Sequence, residues 1–151
     1  MEEYMGIECF ISAEALRIHR EHLCALRMKK AMCHTRKEKD SVESEIRAHE
    51  LYFSSFHCEH TPCQRIKEGY QSENRFCFLL SEYAKSLRGG FVYIYPCARH
   101  PFVGFGSSSK ELSRAVLAID LWEHAYFIDY GFDFSSYITE ALAHLDFSRL
   151  K

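Results

Sequence analysis

Apolar residues recur at helical spacing near the start of the chain, where Leu16, Leu23, Leu26 and Ala31 follow Ser12, a residue type that caps helices. Ala, Leu, Met, Lys and Arg dominate to about Lys39, and no Gly or Pro interrupts between Gly6 and Pro62. Asp40-Ser41 offers a turn and a new N-cap, which predicts a second helix from Val42 to about Phe56 and so an antiparallel hairpin. Residues 57–69, with Pro62 and Gly69, read as a connector. A third helix is expected from the Ser72 cap through Phe76, Leu79, Leu80, Tyr83 and Leu87, stopped by Arg88-Gly89-Gly90. Two aromatic and β-branched runs, residues 91–95 before Pro96 and 102–105 after Pro101, read as strands. The continuous apolar run 115–119 fits a buried third strand, and a last helix is expected from Ser135 to about Phe147.

This order gives an α+β fold. A helical hairpin over residues 1–60 packs on a C-terminal α/β half, residues 70–151, with a small three-stranded antiparallel sheet. With 151 residues, 47% of them hydrophobic and 15% aromatic, the chain can bury a real core, which excludes intrinsic disorder. The formal charge of −2 argues against wholesale nucleic-acid binding. No apolar run approaches a membrane span, and Met1-Glu2-Glu3-Tyr4 is acidic where a secretory signal is basic. A cytoplasmic location is the expectation. The seven cysteines are odd in number and irregular in spacing, so all are expected as reduced thiols, with Cys24 and Cys77 as small buried hydrophobes.

The stretch Asp120-Leu121-Trp122-Glu123-His124-Ala125-Tyr126 is the most informative. It begins where an apolar strand ends, so the Asp120 carboxylate is expected to be buried and to need a partner. Coordination of Fe, Mn or Zn by Asp120 and His124 meets that need; an Asp–His hydrogen bond with a helix cap meets it too, and is commoner for such spacing taken alone. His19 and His49 sit within the two predicted helices. With the turn at Asp40-Ser41 they lie about 20 and about 10 residues from it, which only an asymmetric hairpin brings level. A first helix ending near Cys33-His34-Thr35 eases the mismatch.

Residues 120–126 resemble the metal-binding signature Asp-x-Trp-Glu-His-Ala-Tyr of the iron/manganese superoxide dismutases, and residues 117–119 and 127–130 extend the likeness. Residues 11–19 are similar to the family's first-helix segment, residues 48–53 to its second, and residues 89–94 to the entry to its first strand. The resemblance implies that His19, His49, Asp120 and His124 bind one Fe or Mn ion per subunit, set between the two halves, with a solvent molecule as fifth ligand. It implies superoxide as substrate, dioxygen and hydrogen peroxide as products, and a homodimer in which Glu123 bridges to His124 of the partner subunit. Trp122 would wall the site, with Tyr126, His22 and Glu45 beside it. A catalytically degenerate metal-binding protein of the same fold is the alternative.

The likeness lapses around the ligands. The family's gateway Tyr falls at Arg27, or at Leu26 with one deletion. Its outer-sphere Gln has no clear counterpart: the manganese-type position offers Gly106-Ser107-Ser108-Ser109 and the iron-type position Glu45. Phe127 stands where many members carry Tyr, and His22 matches the family's second helix-one His only with one deletion. Four weaker patterns remain. Residues 57–63 have the His/Cys density of a zinc site but lack a second pair at the proper distance, so a surface loop is expected. The basic first helix reads as a solvated face, with anion steering as the sharper alternative. Gly104-Phe105-Gly106 reads as a turn, and Cys24 near His22 lacks the third group of a nucleophilic site.

Overall fold

The computed structural model describes residues 6–151; the acidic opening at residues 1–4 lies outside them. A short 3-10 turn, Ile7–Cys9, precedes α1 (Ala13–Met32), whose first turn is closed by the Ser12 side chain accepting from Ala15 N. Ala15, Leu16, His19, Leu23 and Leu26 are buried along one face of α1. The chain reverses at residues 33–35 and re-enters helix as α2 (Arg36–Phe53) through a full capping box between Thr35 and Glu38. Asp40-Ser41, expected as the turn, lies inside α2. Those side chains are compatible with a turn, but Thr35 and Glu38 satisfy the free N–H groups five residues earlier and win the N-terminus. The shift restores symmetry: His19 lies fourteen residues before Cys33 and His49 fourteen after Thr35, so antiparallel helices bring them level.

The connector expected over residues 57–69 contains a further helix, α3 (Gln64–Tyr70), anchored by the buried Ile66. α4 (Glu73–Ser86) starts at the expected Ser72 cap, whose side chain accepts from Arg75 N. β1 (Phe91–Pro96) is the centre of a three-stranded antiparallel sheet of order β2-β1-β3, with β2 (Val103–Gly106) and β3 (Leu117–Asp120). Gly104-Phe105-Gly106 therefore forms strand, because its backbone pairs with residues 93–95 of β1. A short helix, α5 (Ser109–Leu112), links β2 to β3; α6 (Glu123–Tyr130) and α7 (Phe134–His144) follow. The sequence pattern did not mark α6, whose apolar positions do not segregate to one face. This is the α+β architecture expected, a helical N-terminal region and a C-terminal part carrying the sheet.

α2 packs across β3, and one buried hydroxyl stitches them together: Ser55 Oγ accepts from Ala118 N at 2.8 Å and donates to the Leu51 carbonyl at 2.6 Å. An edge-strand N–H is thereby satisfied without a fourth strand. Gly89, at φ +120°, lies under the Trp122 indole, and any Cβ there would run into the ring.

The cysteines depart from expectation. Cys9 and Cys58 are joined as a disulfide, with Cα atoms 5.7 Å apart, because the turn before α1 and the loop after α2 are brought together at the open end of the hairpin. The other five are free, and Cys24 is exposed rather than buried, while Cys77 is half-buried. Cys24 has apolar neighbours in sequence but points away from the α1 face that carries Leu23.

Candidate metal centre

Four elements deliver four donors to one point. α1 places His19, α2 places His49, β3 ends on Asp120, and His124 follows four residues later as the second residue of α6. One donor atom from each lies within 4.8 Å of all the others. His19 Nε2 stands 2.9 Å from Asp120 Oδ2, His124 Nε2 3.0 Å and His49 Nε2 3.5 Å. His49 and His124 face each other Nε2 to Nε2 at 3.3 Å. His19, His49 and Asp120 are buried, and His124 closes the cluster on its solvent side.

The protonation pattern explains why these groups tolerate one another. His49 Nδ1–H donates to the Glu45 carbonyl at 2.7 Å, so the neutral ring turns a bare Nε2 lone pair inward. Burial pushes the His49 pKa down to about 4, against the pull of Asp120. Burial alone would raise the Asp120 pKa, but hydrogen bonds from His124 and His19 outweigh it and hold the carboxyl far below its ordinary value. A lone pair and a carboxylate oxygen 3.5 Å apart repel unless a proton or a cation lies between them. Three imidazole nitrogens and one carboxylate, with no thiolate, suit a divalent or trivalent first-row ion. The residues present fit such an ion.

The support behind the donors is equally defined. Asp120 Oδ1 accepts from Trp122 N at 2.9 Å, and its backbone carbonyl accepts from Tyr137 Oη at 2.7 Å. Tyr137 has a single hydroxyl proton, so in its 3.0 Å contact with Tyr52 the Tyr52 hydroxyl donates. Both phenols are fully buried, and burial raises both pKa values well above the ordinary phenol range. Sequence reading missed Tyr137, and its only signal was a Tyr among the apolar positions of the last helix. Tyr126 stacks on Tyr137, its centroid 5.2 Å away. His22 packs against His124 and His49, with centroids 4.4 and 5.1 Å away, and its pKa is lowered by burial, then by His124 and His19. Glu45, His22, Trp122, His49 and His124 line one open cleft of about 430 Å³ in front of the donors. Glu123 is exposed in the first turn of α6.

A family model for the iron/manganese superoxide dismutases, C-terminal domain, matches residues 60–151, well over half the chain. The chain belongs to the iron/manganese superoxide dismutase family. No curated protein matches it. Asp120 and His124 fall within the matched residues of this dismutase-family chain; His19 and His49 lie before them and are tied to the centre by geometry.

The competing patterns do not assemble. Among the described residues, His57, Cys58, His60 and Cys63 form no converging donor group: Cys58 is in the disulfide, and His60 pairs with Glu73 at 3.0 Å. The basic residues of the hairpin are largely answered by acids, Arg17 by Glu21, Arg27 by Glu50 and Lys30 by Glu43, which leaves little net field for steering. No helix among the described residues is long and apolar enough to cross a membrane.

Proposed function

We propose that the protein is a superoxide dismutase in which His19, His49, Asp120 and His124 hold one Fe or Mn ion per subunit. The carrying observation is the convergence of those four donors within 4.8 Å, three of them buried. When bound, the ion would supply the one-electron redox chemistry that oxidises one superoxide to dioxygen and, with two protons taken up from solvent, reduces another to hydrogen peroxide. Asp120 contributes the anionic donor, and the Trp122 N–H and Tyr137 hydroxyl fix its position. The Glu45 carbonyl fixes the tautomer that leaves His49 Nε2 free. His124, at the cleft floor, separates the centre from solvent. The hairpin and the C-terminal half act as two domains clamped by the site between them.

A homodimer belongs to the same proposal. Trp122 at the N-cap of α6, Phe127 and Ile128 on it and Phe132 after it are exposed apolar side chains, and Phe132 is 96% exposed. Glu123 is exposed beside His124 in the first turn of α6, and in the proposed dimer it would bridge to His124 of the partner subunit. A cytoplasmic location is proposed with it; there the Cys9–Cys58 pair would meet a reducing environment. The second reading, metal binding without turnover, is favoured by Arg27, whose guanidinium pairs with Glu50 at 2.9 Å and carries no phenol to the cleft.

Superoxide decay by stopped flow, normalised to bound metal on protein loaded separately with Fe and Mn, tests the proposal. Rates well above the free ions are expected, with metal lost in His124→Ala. Full metal content without acceleration establishes the second reading, and metal retained by His124→Ala defeats the site.

A further inference from the structure

The cleft in front of the donors has a wall that the centre itself does not use. Phe91 and Tyr93 project from the same face of β1, with rings nearly parallel and centroids 6.0 Å apart. Phe91 stands edge-on to His49 at 5.0 Å, so Tyr93 is the next side chain along the wall from a donor. Tyr93 is buried over most of its ring and lines the cleft together with His22, Glu45 and His124. Its hydroxyl has no hydrogen-bond partner among the described residues, yet no buried side-chain oxygen or nitrogen lacks one. The hydroxyl therefore reaches solvent, at the cleft that the ring lines.

Among the neighbouring hydroxyls Ser44 has its proton engaged elsewhere, whereas Ser107 keeps a proton of its own and Ser109 also lines the cleft. Ser44 Oγ donates to the Asp40 carbonyl at 3.0 Å, and Ser107 Oγ accepts from Tyr83 at 3.0 Å. Glu45 is a carboxylate and offers an anion only repulsion. Arg27, the first-helix position at which the resemblance would place a phenol, lines a different cleft with Arg47 and Glu50.

We propose that the Tyr93 hydroxyl is the hydrogen-bond donor that orients a small monoanion in this cleft, ahead of the His19–His49–Asp120–His124 cluster. The inference rests on the metal-centre reading and adds to it the residue that positions the incoming anion. A phenol suits the task because it donates one proton along a fixed direction and rotates little within a packed wall. Burial pushes its pKa up to about 12, so it stays protonated, and hence a donor, throughout the neutral range.

Azide, a stable small monoanion, is the probe. Iron-loaded wild-type protein and Tyr93→Phe are titrated with azide and followed by the absorption of the ferric–anion complex, with iron content and melting temperature measured on each sample. Tyr93→Phe keeps the ring and removes only the donor. Its azide affinity is expected to fall about tenfold or more with iron content unchanged, as for loss of a hydrogen bond to a charged group. Tyr95→Phe, on the same strand with its ring against Arg114, is expected to bind azide as the wild type does. Wild-type azide affinity in fully loaded Tyr93→Phe overturns the proposal and leaves the metal centre standing. So does a loss that appears in His22→Gln instead. A wild-type protein that takes up no iron defeats the metal-centre reading, and this proposal with it.

Discussion

Two nitrogens decide what His49 does in the metal-free protein. Nδ1 keeps its proton on the Glu45 carbonyl, and Nε2 resists a second proton because the ring is buried, with a pKa near 4 against 6.5 for an exposed imidazole. Above about pH 6.5 both folded and unfolded chains leave this group neutral, and it contributes nothing to pH dependence. Between 6.5 and 4 the unfolded chain takes up a proton that the folded chain refuses, so stability falls as the pH falls. The loss across that window is roughly 3 kcal/mol. Asp120, held far below its ordinary value, removes more stability below about pH 4, once the unfolded carboxyl protonates. Urea unfolding of the metal-free protein at stepped pH measures the slope, and His49→Gln is expected to flatten it between 6.5 and 4. The residue behind Asp120 gives a second expectation. Tyr137→Phe removes the donor to the Asp120 carbonyl and leaves the buried Tyr52 hydroxyl without its acceptor. A cost of about 2 kcal/mol is expected, against about 0.5 kcal/mol or less for removing the half-buried Tyr126 hydroxyl, both read from denaturant midpoints.

At the scale of elements, the hairpin shows where sequence pattern suffices and where it stops. Ser12 and Ser72 are legible as caps because each stands alone before an apolar helical run. The α1–α2 turn is only half legible: levelling His19 with His49 points to a first helix ending near Cys33-His34-Thr35, but Thr35 and Glu38 sit in a stretch of charged residues whose helical content looks continuous, and Asp40-Ser41 competes as a turn on composition alone. α3 is short and gains its stability by burying Ile66 against the rest of the fold, a tertiary effect that no local pattern carries. The Cys9–Cys58 pairing is invisible for a related reason: 49 residues separate the two cysteines, and only the folded hairpin brings their Cα atoms within reach. That disulfide encloses both hairpin helices, and with them His19 and His49. A loop of this size restricts the unfolded chain by about 4 kcal/mol in the chain-entropy account. Denatured, unreduced protein is expected to show five reactive thiols, and Cys58→Ser to lose stability up to that figure. Seven thiols would place all the cysteines in the reduced state.

Across the whole molecule, the site is the point where distant parts of the chain are held together. The signature at residues 120–126 was readable because its chemistry is contiguous, whereas His19 and His49 acquire meaning only once fourteen residues on either side of one turn set them level. The Tyr93 wall has no contiguous signal at all; it emerges from strand alternation and the packing of Phe91 on His49. Donors drawn from α1, α2, β3 and α6 imply that a bound ion cross-links the hairpin to the C-terminal half, and that its removal loosens the whole structure. An ion that binds only the folded chain stabilises it by an amount that grows with the logarithm of its concentration over the dissociation constant, about 4 kcal/mol at a thousandfold excess. Chelation is therefore expected to lower the melting temperature by many degrees, and readdition of Mn or Fe to restore it. His19→Ala should unfold at the chelated temperature with or without added metal. Hydrogen exchange sharpens the test, because protection should drop together in α1, α2 and the start of α6, the elements that share the ion. A loss of protection confined to α6 would mean that Asp120 and His124 hold the metal without the hairpin.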